Sequence, residues 1–307
     1  TRSDTLSLHD ALPISFNGEK FLLTLLKSIK EQTIRVDEVI ISDDQSTDST
    51  VAIVRKYIAD NQLFNWKVVV NKKNVGFKQN FLQAMRLATG DIIFPCDQDD
   101  YWYPEKIEIM KKYMIMKEDI MVAFCKSVAF KDKIFKVVKN SNSVINKISF
   151  HEEVKNCYGA GHLLCLRRDF VNKYINDISI NKLTFDIPFC LIAAKVNGLY
   201  RINDVLVARR FHENNTSGAT RYKFDSIKDK GRVIAGRKTR LGYFIFLTKL
   251  FGDKNDTEFI DFVRIFSISL SGITNGNIYP VLSELFCRNK YINRLYSICG
   301  IVGTLRR

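Results

Sequence analysis

The sequence predicts an α/β protein with a mostly parallel sheet flanked by helices, and a helical C-terminal extension. Three observations predict it. Short apolar runs alternate with stretches of helical period, two of those runs end in clustered acids, and the chain after Gly218 turns basic and helical. At 307 residues it can form one large α/β domain, or a domain of ordinary size with an appendage.

The elements follow in order. Residues 1–13 show neither strand alternation nor helical period, and they are read as a leader that is disordered or not native to the gene. Glu19 to Gln32 places Phe21, Leu22, Leu25, Leu26 and Ile29 on one helical face. Val36 to Ser42 holds Val39-Ile40-Ile41 and ends in acids, as a buried parallel strand does. Ser46-Thr47-Asp48 caps a helix that runs to about Ala59. Trp66 to Val70 is a strand, Gln79 to Ala88 a helix and Asp91 to Cys96 a strand. Pro104 to Met116 is a helix with proline in its first turn. This rhythm of strands and helices implies βαβ units. Beyond Met121 the rhythm breaks. Met121 to Phe130 and Ile134 to Val138 read as a hairpin, Leu163 to Leu166 as a strand, and Ile187 to Val196 as a helix. Residues 14–218 form the main domain, with a nucleotide half (14–100) and an acceptor half (101–218). Residues 219–307 form the extension, with helices at Leu241 to Phe251 and Glu258 to Leu270.

Composition narrows the function. Hydrophobic residues are 46% and charged residues 26% of the chain, which excludes a disordered or collagenous protein. A net charge of +14 favours an anionic partner. Much of the excess lies between Arg221 and Arg240, outside the main domain, where it forms a solvated face or meets an anionic membrane. A nucleic-acid binder would carry basic residues interleaved with aromatics across the main domain, and the prominent clusters there are acidic. No nucleic-acid partner is expected. The seven cysteines include no C-x-x-C pair, and several lie in apolar runs, as free buried thiols of a reducing cytosol do. No apolar stretch reaches the ~18 residues of a membrane span. A cytoplasmic protein follows, peripheral on the inner face of the plasma membrane if the basic helices bind there.

The acids carry the chemistry. Ligands of an open parallel sheet bind beyond the carboxyl ends of its strands. Asp43-Asp44 follows one strand there, and Asp97-Gln98-Asp99-Asp100 another. Such crowded carboxylates repel one another unless a cation or a hydrogen-bonding ligand joins them. Two of them can hold a hard divalent ion, which in turn neutralises a diphosphate. A solvated acidic turn is the alternative.

These residues resemble the family 2 glycosyltransferases of GT-A fold. The resemblance rests on four segments in the family's order: Phe16-Asn17-Gly18-Glu19, Asp43-Asp44-Gln45-Ser46-Thr47-Asp48, Asn74-Val75-Gly76-Phe77 through Asn80-Phe81, and Asp97-Gln98-Asp99-Asp100-Tyr101-Trp102 with Pro104-Glu105-Lys106. The last is similar to the rhamnosyltransferase branch, and the match covers roughly residues 16–218. It implies an inverting enzyme that moves a sugar from a nucleotide-diphosphate donor to a glycan or lipid-linked acceptor in bacterial surface-polysaccharide synthesis. By position, it implies that Phe16 and Asp43 or Asp44 meet the base and ribose. Asn74, Gly76 and Lys78 lie near the nucleotide, with Lys78 toward the phosphates. Asp97 approaches the ribose, Asp99 ligates Mn²⁺ or Mg²⁺, and Asp100 supports the loop.

Further matches lie downstream. Thr184-Phe185-Asp186-Ile187-Pro188 stands where the family keeps its general base, which gives that role to Asp186. Arg209-Arg210-Phe211-His212 through Gly218 resembles the closing segment, with Arg210 neutralising phosphate and His212 joining the metal or the diphosphate. Trp102, Gly161 and His162 are expected to line the acceptor pocket. Two departures stand out. The family opens on a full apolar strand, of which Pro13-Ile14-Ser15-Phe16 is all that is recognisable. Gln79 stands where many members carry arginine. A nucleotidyltransferase, the competing enzyme class, would need a glycine-rich basic loop early in the chain, and Asn17-Gly18-Glu19 does not provide one.

Overall fold

The computed structural model describes residues 8–131, 133–135, 144–156, 158–180 and 184–212, with the short stretches 242–243, 246–247 and 249–251. The chain divides into two units, Thr1–Arg221 and Tyr222–Arg307. The first holds one nine-stranded sheet.

Its parallel half is built from the predicted βαβ units. Strands β1 (His9–Ser15), β2 (Glu38–Asp43), β3 (Trp66–Val70) and β4 (Ile92–Cys96) lie in the order β3-β2-β1-β4, all parallel. Every residue of β2 and β4 is buried, as expected of strands covered by helices on both faces. Helix α1 (Leu22–Lys30) buries Leu22, Leu25, Leu26 and Ile29, the face its spacing predicts. Helix α2 (Thr50–Asp60) follows β2, and α3 (Phe77–Leu87) buries Phe81, Leu82, Ala84 and Met85.

Beyond β4 the sheet changes direction. A two-residue strand β5 (Tyr101–Trp102) and helix α4 (Lys106–Met116) lead into β6 (Val122–Phe130). Strand β7 (Ile145–Lys147), helix α5 (Phe150–Asn156), a 3-10 turn at Gly161–Leu163 and β8 (Leu164–Arg167) follow. Helices α6 (Arg168–Ile180) and α7 (Asp186–Lys195) precede the long β9 (Leu199–Arg210). Strand β8 lies antiparallel between β4 and β6, so it joins the two halves. Strand β9 runs parallel to β6 and antiparallel to β5 and β7.

Three expectations are corrected. Residues 9–13 are strand: β1 fills the central slot, pairing Ala11 with both Val39 and Phe94. Backbone hydrogen bonds to two parallel neighbours hold a polar segment there that alternation alone would not flag. Second, no hairpin of β6 with residues 134–135 is seen among the described residues. The partners of β6 are β8 and β9, and Ile134 and Phe135 carry no strand, while 136–138 lie outside the described residues. Third, α6 and β9 were not anticipated. The alternation of β9 is interrupted by Asn203-Asp204, where its register with β6 shifts, and pairing with three strands holds it as one strand across the irregularity. Residues 1–7, the basic run Arg221–Arg240 and the stretch 258–270 lie outside the described residues. The described residues within 241–251 are helical. Among the described residues no helix is long and apolar enough to cross a membrane, and Cys96, Cys125, Cys165 and Cys190 are buried free thiols.

Candidate active site

Both acidic clusters stand at carboxyl ends of parallel strands, where an open sheet binds its ligands. The carboxylates of the first are engaged in shaping loops. Asp43 accepts hydrogen bonds from Ser15 Oγ at 2.7 Å, Ser46 N at 2.8 Å and Ser46 Oγ at 2.6 Å. Asp44 accepts from Val75 N and Gly76 N, both at 2.8 Å, and from Asn71 Nδ2 at 2.9 Å. Asp44 thus ties the end of β2 to the loop Asn74-Val75-Gly76. Gly76, at φ +82°, opens that loop into α3, a conformation that side chains resist. Asn74 is exposed at the rim and accepts from Gly76 N at 3.2 Å. Lys78 follows on the first turn of α3, half-buried, and burial lowers its pKa.

The second cluster presents its three acids in different directions. Asp99 meets His212 at 2.7 Å between Oδ2 and Nε2. Burial raises the Asp99 pKa, Asp97 adds to it, and His212 pulls the other way. Arg210 donates from Nε to the Asp99 carbonyl at 3.2 Å, and its guanidinium lies 4.8 Å from the Phe21 ring and 4.5 Å from Phe130. The same Phe21 ring packs against His212 with centroids 4.7 Å apart. Phe21 is therefore the wall under both residues of the closing segment. In the sequence it looked like one more apolar residue of α1.

Asp97 lies 3.4 Å from His162 Nδ1 through Oδ2, and Asp100 lies 3.9 Å from His162 Nε2. Burial raises Asp100 to about 7 against the pull of His162, with Asp97 and Asp99 adding to the rise. Burial alone would lower the His162 pKa, but Asp100 and Asp97 outweigh it and the imidazole is raised. Lys106 is fully buried beneath, 3.7 Å from the Trp102 ring, and donates to the His162 carbonyl at 3.0 Å. This corrects two acceptor-pocket expectations. Trp102 is 0% exposed, because β5 turns its ring into the core, and it offers an acceptor no surface. His162 is held between two aspartates instead of facing an open pocket.

Gly161 does reach the proposed base. Its N–H donates to Asp186 Oδ2 at 3.2 Å, while Ile187 N donates to Oδ1 at 2.9 Å. Asp186 opens α7, so its half-buried carboxylate sits at the positive end of a helix. A chain of contacts runs from Asp186 through Gly161 to the adjacent His162 and on to Asp97, so the expected base and the acidic loop lie along one path. Sequence reading also missed Gln98. Its amide accepts from Phe16 N at 2.9 Å and donates to Phe16 O at 3.2 Å, which fixes the Phe16-Asn17-Gly18 turn against the acidic loop. A Cβ on Gly18 would stand 2.3 Å from Gln98 Oε1, so this close approach requires glycine. Phe16 itself is 46% exposed, available to a ligand.

A divalent ion fits these residues. Among the described residues, Asp97, Asp100 and His162 can bring one ligand atom each within 4.8 Å of the others. Both Asp100 oxygens and His162 Nε2 are buried without a hydrogen-bond partner. Asp99 with His212 is the second arrangement. Carboxylate oxygen and imidazole nitrogen together suit Mn²⁺, and Mg²⁺ by the oxygens. The Asp99 and His212 side chains are 14% and 19% exposed, and the other group joins Asp97 at 42% to His162 at 8% and Asp100 at 1%.

A half-parallel sheet of this order with acids at its strand ends is the fold of the GT-A glycosyltransferases. Among solved structures, Staphylococcus aureus TarS 1-349 with UDP-GlcNAc matches with TM-score 0.59 at 18% identity, covering 78% of this chain and 66% of that one. The mannosyltransferase PcManGT of Pyrobaculum calidifontis, with GDP-Man and Mn²⁺, matches with TM-score 0.55 at 13% identity over 96% and 80%. The sequence profile of glycosyl transferase family 2 matches residues 13–175, more than half of the chain, and the protein belongs to that family. Among curated relatives, dTDP-rhamnosyl transferase RfbG of Shigella flexneri is 37% identical over 98 residues, 31% of this chain and 34% of its own. The Escherichia coli glucosyltransferase WfgD, which is named for UDP-Glc and a GlcNAc-diphosphoundecaprenol acceptor, is 25% identical over 72% of this chain and 82% of its own. The matches to the first relatives, uncharacterized mycobacterial proteins such as Rv1520 of Mycobacterium tuberculosis, span about a third of those proteins, 32% of the length at 34% identity.

Proposed function

We propose that this glycosyltransferase transfers a sugar, with inversion, from a nucleotide-diphosphate donor to a hydroxyl of a glycan or lipid-linked acceptor in bacterial surface-polysaccharide synthesis. One observation carries the reading. The Asp97–Asp100 loop touches His212 of the closing segment on one side and, through His162 and Gly161, connects to Asp186 on the other. Donor chelation and proton removal thus meet at one loop.

The donor's base and ribose are assigned to the turn at Phe16 and to the loops held by Asp43 and Asp44, with Asn74 and Gly76 at the rim and Asp97 toward the ribose. Arg210 and Lys78 bring positive charge to the diphosphate. Asp99 and His212 would hold Mn²⁺ or Mg²⁺, which neutralises diphosphate charge when bound. The acceptor oxygen attacks the anomeric carbon from the face opposite the diphosphate. The bond from that carbon to the diphosphate oxygen breaks, the nucleoside diphosphate leaves with the electron pair, and the hydroxyl proton passes to Asp186. One displacement inverts the centre, and no sugar–enzyme bond forms.

Kinship with RfbG puts dTDP-rhamnose first among candidate donors, and kinship with WfgD puts UDP-glucose second. The test is a panel of dTDP-, UDP- and GDP-sugars with Mn²⁺, followed by calorimetric binding and by transfer. Asp186→Asn is expected to bind donor within about twofold of wild type and to lose transfer by 10²-fold or more, the usual worth of a general base. Wild-type turnover in Asp186→Asn overturns the assignment.

A further inference from the structure

The mechanism makes no use of a buried acid that stands close to its base. Glu153, on α5, is 0% exposed. Its carboxyl accepts the Tyr158 N–H at 3.2 Å through Oε2, while Oε1 is buried without a hydrogen-bond partner. A carboxyl in that position is costly to desolvate unless it stays neutral or is well bonded. Burial pushes its pKa up to about 8, with the Asp186 charge adding to the rise against the N–H groups of Tyr158 and Gly159.

What the carboxyl holds is a segment with almost no freedom elsewhere. A Cβ on Gly159 would stand 2.2 Å from Cys190 Sγ, and one on Gly161 2.5 Å from Phe185 Cζ. Both glycines therefore lie flat on the first turns of α7, and the Gly161 N–H reaches Asp186. The Tyr158 ring stacks on Phe124 with centroids 5.7 Å apart and 21° between planes, and the Arg201 guanidinium lies 5.5 Å from it. Van der Waals contact fixes how close this segment comes to α7. It does not fix its slide along the helix, because a glycine face is smooth. The Glu153 bond to Tyr158 N is a directional contact at the start of the segment, as the Gly161 bond to Asp186 is at its end.

We propose that Glu153 is a positioning residue: its buried carboxyl anchors the Tyr158–Gly161 strap and so aims the Gly161 N–H at Asp186. Asp186 is thereby held in one rotamer by two N–H donors, Gly161 and Ile187, whichever acceptor enters. The proposal rests on Asp186 being the base.

The test uses the full chain and three variants. Glu153→Ala removes the acceptor, Glu153→Leu removes it while filling the volume, and Glu153→Gln keeps an oxygen that accepts the same N–H. Hydrogen exchange at the Tyr158 and Gly161 amides is read first. It is expected to speed up at least tenfold in Ala and Leu and to stay near wild type in Gln, with the Leu164–Leu166 amides unchanged in all three. Sugar transfer is then compared with hydrolysis of the same donor by water, using the best member of the donor panel. Ala and Leu are expected to lose transfer at least tenfold at unchanged donor binding, and Gln to restore it. Unchanged exchange in Leu, or an equal fall of donor binding and transfer, overturns the proposal. An Asp186→Asn enzyme that still transfers removes the base assignment but leaves the exchange result to stand, so the two failures are separable.

Discussion

At the scale of single residues, the site separates acids by what surrounds them. Asp99 keeps an edge toward solvent beside His212, whereas Asp100 is sealed in with His162 and Lys106. Removing a carboxylate from the open pair should therefore act on the metal, and from the sealed pair on the fold. Asp99→Ala is expected to abolish Mn²⁺-dependent donor binding in calorimetry while keeping the wild-type melting temperature within a few degrees. EDTA-treated wild type should behave the same way; donor affinity that survives both treatments would remove the ion from the reading. Glu153 yields a pH prediction. Its folded pKa of about 8 lies above the ordinary 4.5, so the folded state holds a proton that the unfolded state releases between those values. That contribution is complete below about pH 4.5 and disappears as pH rises through about 8. Wild-type stability should then fall with pH across this window by up to about 1.4 kcal/mol per unit relative to Glu153→Gln. Parallel unfolding curves for the two proteins at pH 5 and pH 8 would contradict it.

Among the elements, the loop after β3 and the strand β1 are the informative cases. Asp44 accepts three hydrogen bonds that hold Asn71, Val75 and Gly76, and it is 3% exposed. Asp44→Ala would orphan these donors and is expected to cost about 3 kcal/mol in denaturant unfolding. Asp44→Asn should recover part of that, since one side-chain oxygen remains. Loss of donor binding without loss of stability would instead make Asp44 a direct nucleotide contact. Strand β1 is unusually polar for its place. His9 and Asp10 are 2% and 1% exposed, and both are engaged: His9 Nδ1 lies 2.6 Å from Asp37 Oδ2, and Asp10 Oδ2 accepts the N–H groups of Thr89 at 2.8 Å and Gly90 at 2.6 Å, while burial raises Asp10 to about 6. Backbone pairing asks only for extended residues, and these side-chain bonds engage the polar start of the strand while Ala11 and Leu12 enter the core.

For the molecule as a whole, charge and architecture are divided between two stretches of chain. The acidic site belongs to Thr1–Arg221, and the Arg221–Arg240 run begins where the second unit does. A lipid-linked acceptor would be reached most readily by an enzyme resting on an anionic surface through those basic residues. We expect the full chain, but not residues 1–221, to float with vesicles containing phosphatidylglycerol and to be released by high salt. Equal flotation of the two proteins would point to packing or association as the role of the extension.

The parallel half was legible because its signals are local. Val39-Ile40-Ile41 and Ile92-Ile93-Phe94 are apolar over the length of a strand, and α1 repeats its apolar face every three or four residues. The acids at the ends of those strands, together with the order of the four motifs, were enough to point to the family. Contacts between distant residues had no such trace. Gln98 clasps Phe16, Phe21 lies under His212 and Arg210, and Glu153 holds Tyr158 through pairings that no periodicity encodes. Trp102 read as a pocket residue until β5 turned it inward, and β9 became a strand only beside β5, β6 and β7. Local period and composition depend on neighbours along the chain, so the sequence by itself determined the helices and strands of the parallel half after β1 and the acids at their ends. Which side chains face one another depends on how those elements pack, and that was decided by the tertiary structure alone.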